Sequence, residues 1–155
     1  YNSSNHYEYR NPTSYYDKNS AVICFPDNYK SSGTDLKTEG IVRVTFMANF
    51  KYWQKLPKKE YRAKKEEVYQ DALFLIRSTI GDVGEVVFKD VFTPTTILRY
   101  TGHTNGTVYG GELKLKEGKT SIPNLYIAGT DQGFLGIVGA MLSGVTIANK
   151  YCIGE

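Results

Sequence analysis

The residues best suited to chemistry lie between Asn124 and Asn149, where a short apolar run passes into a glycine-punctuated helix start. The run from Asn124 to Gly129 is partly β-branched and ends at a glycine, as a buried strand does. Further glycines precede or lie within a predicted small-residue helix at 136–151: Gly133, Gly136 and Gly139. The first turn of a helix has unpaired N–H groups and the positive dipole end. The pattern therefore predicts half of a cofactor site for a pyrophosphate or a flavin C2 carbonyl, although glycines also serve helix–strand packing.

Other reactive side chains are sparse. His103 lies in the glycine-rich stretch 101–111 and is an acid/base candidate by its ordinary pKa, although a loop histidine is usually only solvated. Cys24 and Cys152 are far apart and have no CxxC or Cys/His spacing, so the sequence indicates neither a disulfide framework nor a zinc site. We expect both thiols to be reduced and at least half-buried. No Ser/His/Asp or Cys/His arrangement is present, so the catalytic residues stay unknown, and no metal site is expected.

Length and composition narrow the class of protein. The chain has 155 residues with 41% hydrophobic and 23% charged residues, which is typical of one globular soluble domain. Its formal charge of +3 is too small to indicate a nucleic-acid partner. No apolar run reaches the roughly 20 residues that a spanning helix needs. We expect a cytoplasmic protein that could contact a membrane peripherally. Since the chain begins at Tyr1 without methionine, we also expect it to be part of a longer protein.

Hydrophobic patterning predicts the elements that position these residues. Strands are expected at 21–25, 41–50, 85–92 and 124–129, and helices at 58–80, 94–100 and 136–151. Residues 1–20 have little periodicity and are expected to form a loop or an extended segment. Thr93 and Pro94 have the residue types of a helix N-cap and first turn. The predicted fold is α+β, with three to five mainly antiparallel strands, one long packed helix and a C-terminal strand–helix unit.

Two linked motifs resemble a known superfamily. Asn124–Gly129 followed by Gly136, Gly139, Ser143-Gly144 and Ala148 resembles the C-terminal FAD-contacting motif of the flavin amine oxidase and phytoene desaturase superfamily. Residues 93–110 look like the phytoene dehydrogenase-related branch, which includes carotenoid desaturases, carotenoid isomerases and retinol saturases. The resemblance is strong over 83–151, plausible over 41–80 and weak before that.

The resemblance implies a larger enzyme. Such enzymes bind the ADP half of FAD with an N-terminal Rossmann unit and its G-x-G-x-x-G fingerprint, which this chain lacks. Residues 1–120 would form part of a substrate-binding domain, and residues 121–155 would complete the FAD-binding domain. The parent would be an FAD-dependent oxidoreductase that desaturates, saturates or isomerises an apolar isoprenoid-like substrate by hydride transfer at flavin.

The resemblance also implies roles for individual residues. Gly129 would end the strand against the cofactor, and Thr130 or Asp131 would approach the ribityl or pyrophosphate hydroxyls. The backbone N–H groups of Gly136, Ile137 and Val138 would lie at the flavin pyrimidine edge. Many relatives place an acid directly after the Ala-Gly pair, whereas Thr130 intervenes here, so Asp131 could equally be a turn aspartate.

Substrate contacts are expected from Arg99, Tyr100 and Tyr109. Arg99 and Tyr100 could instead bind the cofactor, or Arg99 could form a structural ion pair, and Tyr109 could pack near the flavin or be structural. Tyr52 and Trp53 could line an apolar entrance or cover the edge of the sheet.

A second hypothesis comes from another class of function. The chain by itself could be a non-catalytic, folded interaction module that is unable to hold FAD. Without the Rossmann half, we expect this chain alone to be inactive and free of flavin. An open strand edge and an exposed glycine-rich helix could then pair two copies into a homodimer.

Overall fold

The computed structural model describes residues 1–3, 11–28, 39–111 and 113–153, and their fold is α+β as predicted. The main elements are β1 (Tyr16–Cys24), β2 (Arg43–Ala48), α1 (Phe50–Trp53), α2 (Lys58–Thr79), α3 (Pro94–Thr101) and α4 (Gly136–Ile147). Short 3-10 turns form at Pro26–Asn28, Thr104–Gly106 and Thr130–Gln132, and one π-helical turn, Ala148–Cys152, continues α4.

The sheet consists of β1 and β2, which pair antiparallel. Ala21 lies opposite Phe46, and the register shifts between Tyr16 and Ala21. β1 begins five residues before the predicted strand at 21–25, inside the stretch expected to be a loop or extended segment. Tyr16 explains the extension, because its ring is buried and lies 5.5 Å from the ring of Phe46.

The expectation of three to five strands is wrong for the described residues. The predicted strand at 85–92 forms no ladder, and Val87, Phe88 and Phe92 are exposed. The predicted strand at 124–129 contributes one isolated bridge, between Lys119 and Tyr126. Both stretches have strand-like sequences, but a strand forms only where a partner supplies the ladder hydrogen bonds.

The predicted long helix is present as α2, and one tryptophan connects it to the strands. Trp53 is 3% exposed, and its indole Nε1 donates to the carbonyl oxygen of Tyr15 at 2.8 Å. The rings of Trp53 and Tyr61 meet edge to face at 5.6 Å. Trp53 therefore packs inside the small core, and the role of lining an exposed entrance does not suit it. Tyr52 lies against Tyr15 at 5.4 Å and is 40% exposed.

A polar cluster fastens β1 to α2. The hydroxyl of Tyr16 donates to Asp71 at 2.6 Å, and Lys18 contacts the same carboxylate at 2.7 Å. Partial burial raises the pKa of Asp71, but the hydrogen bonds from Lys18 and Tyr16 outweigh it, so that the net pKa lies below its ordinary value. Burial and the hydrogen bond to Asp71 both raise the pKa of Tyr16.

The start of α3 is as the sequence predicts. The Thr93 side chain caps the amide of Thr96, the Thr96 hydroxyl accepts from the amide of Thr93, and Pro94 lies in the first turn. The hydroxyl of Tyr61 lies 2.6 Å from that of Thr93, which connects α2 to this cap. The capping box therefore fixes both the start of α3 and its position on the long helix.

The cysteines match the sequence prediction in part. Both are free thiols. Cys24 is half-buried as expected, but Cys152, in the π-helical turn after α4, is exposed.

Among the described residues, no helix is both long and apolar enough to cross a membrane. His6 lies outside the described residues.

Candidate functional site

The predicted cofactor loop begins at a backbone conformation that glycine alone adopts readily. Gly129 has φ 101° and ψ −150°, a region that L side chains avoid because of their Cβ atom. Thr130, Asp131 and Gln132 then form a 3-10 turn, closed by a hydrogen bond from the amide of Gly133 to the carbonyl oxygen of Thr130 at 3.0 Å. The turn leads directly towards α4.

A buried polar relay connects this turn to α4. Ser143 has 0% exposure, and its Oγ accepts from the amide of Gly129 at 2.5 Å. The same hydroxyl donates to Oε1 of Gln132, also at 2.5 Å. Gln132 is 3% exposed, and its Nε2 donates to the carbonyl oxygen of Lys116 at 3.0 Å. Both capacities of the serine hydroxyl are thus satisfied inside the protein.

Asp131 holds a second loop against the turn. Its Oδ1 accepts from the amide of Gly111 at 2.6 Å, and Lys114 Nζ lies 3.9 Å from the same oxygen. The backbone of Gly110 approaches so closely that a Cβ atom there would overlap the carboxylate of Asp131. One carboxylate oxygen of Asp131 therefore has a structural partner, in keeping with its interpretation as a turn aspartate, and its role towards a cofactor stays a prediction.

The N-terminus of α4 is open. Leu135 occupies the N-cap position and gives no side-chain capping bond, and Gly136, Ile137 and Val138 are exposed. An added Cβ atom at Gly129 or Gly136 would meet nothing within 4 Å. Exposed helix-start amides beside this unfilled space are the donor set that flavin oxygens or a pyrophosphate require. The residues present therefore fit the FAD half-site that the sequence predicts.

One face of α4 is apolar and uncovered. Ile137 is 83% exposed, Val138 69% and Met141 68%. Leu142 and Val145 are also exposed. Such contiguous apolar surface marks a site where another protein segment or a ligand packs.

The predicted substrate residues belong to two parts of the chain, α3 and the loop that follows Thr104–Gly106. Arg99 and Tyr100 are exposed on α3, where the guanidinium lies 5.6 Å from the tyrosine ring. The main contacts of α3 are with α1 and the turn Thr104–Gly106. Tyr109 directly precedes Gly110 and Gly111, which contact Asp131.

Tyr109 and His103 both have local partners. The carbonyl oxygen of Tyr109 accepts from Lys114 at 2.5 Å, while its side chain is 51% exposed. His103 is exposed, and its Nδ1 lies 2.9 Å from the carbonyl oxygen of Thr107. The histidine therefore has the surroundings of a solvated loop residue.

Sequence reasoning missed Gln132 and Lys114. The available signal for the first was a glutamine inside a turn bounded by Gly129 and Gly133. Ser143 was part of the recognised motif, but its isolation among the apolar residues of α4 also indicated a buried hydroxyl with a partner to find. Lys114 gave no such signal, since lysines are common in polar loops.

The chain is similar in sequence to two chloroplastic prolycopene isomerases. It is 31% identical to the protein from Arabidopsis thaliana over 122 residues, which cover 71% of this chain and 20% of that protein. It is 30% identical to the protein from Daucus carota over 131 residues, covering 76% of this chain and 21% of that one. The chain thus spans about a fifth of the length of these curated relatives. No protein-family model matches it, and no solved structure does. The similarity supports a relation to carotenoid isomerases in the phytoene dehydrogenase-related branch.

Proposed function

We propose that this chain is the C-terminal part of an FAD-dependent oxidoreductase of the phytoene dehydrogenase-related branch. Its substrate would be an apolar, isoprenoid-like molecule that is desaturated, saturated or isomerised. The observation that carries the proposal is the open N-terminus of α4 beside the Gly129 turn, in a chain 31% identical to a prolycopene isomerase. The residues 121–155 would complete the FAD-binding domain, and the preceding residues would belong to the substrate-binding domain.

The chain's own residues would bind and orient the cofactor. The amides of Gly136, Ile137 and Val138 would donate to electron-rich flavin atoms, since no side chain caps them. The hydroxyl of Thr130 and the second carboxylate oxygen of Asp131 would take polar cofactor groups. When bound, FAD would supply the hydride chemistry, which requires no protein nucleophile.

The uncovered face of α4 supports the view that the site is completed by other parts of a longer protein. A helix with exposed Ile137, Val138 and Met141 loses stability by leaving apolar surface in water. The relatives have about four fifths of their length outside the matched region. Burial of this face against such a segment would close the cofactor site. Tyr100 and Tyr109 would contact the apolar substrate only in that complete protein.

The exposed face also favours a second candidate, a non-catalytic interaction module that docks another protein through α4. The two candidates differ in flavin binding. Under the first, the longer protein binds FAD through α4, whereas under the second neither the chain nor the longer protein binds it.

An FAD titration followed by flavin fluorescence tests the proposal, with the 155-residue chain and with the longer gene product that contains it. In the longer protein, Gly136→Val should weaken binding at least about tenfold, because Val is strained at φ 74° and fills the space before the helix-start amides. Gly84→Val is the matched control, since Gly84 has φ 75° and equally open surroundings in the loop after α2. Binding that is unaffected by Gly136→Val, or absent in the longer protein, would contradict the proposal.

A further inference from the structure

We infer that Ser143 and Gln132 are positioning residues for flavin binding: their buried relay sets the backbone of the Gly129–Gln132 turn that would face the cofactor. The inference rests on the proposed function, because it assigns two residues to the same half-site. Neither residue would touch the cofactor, since Ser143 is 0% exposed and Gln132 is 3% exposed.

Ser143 has an unusual position for a polar side chain. Ser143 is the side chain with the least exposure among the described residues, although it is polar and lies on a helix rich in exposed apolar residues. A buried hydroxyl is costly unless its donor and acceptor are both used. Here the acceptor takes the Gly129 amide and the donor serves Gln132. The buried hydroxyl therefore joins the backbone of Gly129 to the side chain of Gln132.

The relay holds Gly129 in one particular backbone conformation. Gly129 has φ 101° and ψ −150°, one of several regions that a free glycine populates, so surrounding bonds must select it. Its amide is fixed by Ser143, and its carbonyl oxygen accepts from the amide of Gln132 at 3.1 Å. Both peptide groups that flank the Gly129 Cα are thereby fixed, and with them the direction in which the turn leaves.

The turn is also bonded to the loop that precedes it in the chain. Gln132 Nε2 donates to the carbonyl oxygen of Lys116, and the amide of Leu115 donates to the carbonyl oxygen of Asp131 at 2.9 Å. The turn is thus held between α4 and the loop at 115–118. Because Thr130 and Asp131 lie inside this span, their position relative to the start of α4 depends on the relay.

Amide exchange on the 155-residue chain, with no flavin present, tests the relay itself. Ser143→Ala should raise the exchange rate of the Gly129 amide at least about tenfold, since it removes the acceptor. Thr146→Val is the matched control, because Thr146 lies on the same helix and its hydroxyl donates only to the carbonyl oxygen of Leu142, one turn earlier in that helix. Unchanged protection of Gly129 in Ser143→Ala would overturn the inference.

FAD titration of the longer protein tests the consequence. Ser143→Ala and Gln132→Leu should each weaken FAD binding about tenfold or more. The double variant should bind FAD about as weakly as the weaker-binding single variant, because both substitutions break the same relay. Ser143→Cys, which keeps a weak donor and acceptor, should recover part of the affinity. Thr146→Val should bind as wild type.

The melting temperature of the flavin-free protein separates positioning from general stability. A purely structural serine would lower the melting temperature of the apo form and leave the extra stabilisation by FAD unchanged, and that result would overturn the inference. A positioning serine reduces the extra stabilisation by FAD. Wild-type protein that binds no FAD would instead refute the proposed function, while the exchange rate of Gly129 would still report on the relay.

Discussion

The amide nitrogen of Gly129 lies 2.5 Å from the hydroxyl oxygen of Ser143, fourteen residues later in the chain. This bond joins the end of the 124–129 segment to the second turn of α4, across the turn that contains Thr130 and Asp131. The turn is therefore bonded to α4, while the helix-start residues Gly136 to Val138 remain exposed. A loop that is held in place before a ligand binds loses less conformational entropy on binding.

The contact between Gly110 and Asp131 predicts a sensitive position. Gly110→Ala should lower the free energy of unfolding by about 1–3 kcal/mol, because φ is 77° and the new Cβ would overlap the carboxylate. Urea unfolding followed by circular dichroism measures this. Gly102→Ala is the matched control: φ is 71° but nothing lies within 4 Å, so only the backbone strain is expected. Equal losses in the two variants would show that the approach of Asp131 has no cost of its own.

Several elements could be predicted from the sequence because their signals are local. The N-cap at Thr93, with Pro94 in the first turn, and the amphipathic pattern of α2 depend on residues within one or two turns, and both are present. The sequence likewise indicated Gly129 as the end of the apolar run and Gly136 as a helix-entry glycine, and both have positive φ.

The remaining features could not be predicted because they depend on distant partners. The 85–92 segment has a strand sequence, but its pairing depends on a neighbour that the pattern does not encode, and no ladder forms among the described residues. The same holds for Asp131, whose partner Gly111 is twenty residues away. Tyr16 was assigned to a loop or extended segment and not to a paired strand, because its packing against Phe46 and its bond to Asp71 are both long-range.

The cluster of Tyr16, Lys18 and Asp71 predicts a pH dependence. The pKa of Asp71 is lowered in the folded protein, so its contribution to stability is present above the unfolded pKa of about 3.9 and is lost as the pH falls through the folded pKa. Asp71→Asn should therefore lower the free energy of unfolding at pH 7, by about 1 kcal/mol or less because the side chain is partly solvated.

Urea unfolding of Asp71→Asn and wild type at pH 7 and at pH 3 checks this. The difference between the two proteins should shrink at the lower pH. Glu67 faces the same cluster, because it also contacts Tyr16 and Lys18 and pairs with Lys64. Asp82→Asn, in the loop after α2, is the comparison variant. A difference that stays constant from pH 7 to pH 3 would contradict the assignment.

Trp53 predicts the largest loss in the core. Trp53→Phe should lower the free energy of unfolding by about 2–4 kcal/mol, since it removes buried area and leaves the carbonyl oxygen of Tyr15 without its indole donor. Circular dichroism is the suitable probe, because Trp53 is the sole tryptophan. The control is Phe74→Leu, where the side chain is 75% exposed and a change within about 0.5 kcal/mol is expected. Similar losses in both variants would exclude a core role for Trp53.

The apolar face of α4 predicts self-association of the isolated chain. Met141 and Val145 are four residues apart and are 68% and 55% exposed, so two copies could bury these faces against each other. Sedimentation velocity over a range of concentrations should show a dimer, and Met141→Lys with Val145→Lys should shift it to monomer. Leu113→Lys, at a residue 83% exposed outside α4, should leave the dimer intact. A monomer at all concentrations refutes the prediction.

The central claim, that the turn at Gly129 and the start of α4 form half of an FAD site, is tested most directly by the flavin content of the longer protein. We predict a flavin absorbance band with about one FAD per protein chain after purification, reduced in Gly136→Val and retained in Gly84→Val. The 155-residue chain purified alone should carry little or no flavin. A longer protein that has no flavin band and gains none when FAD is added would contradict the account.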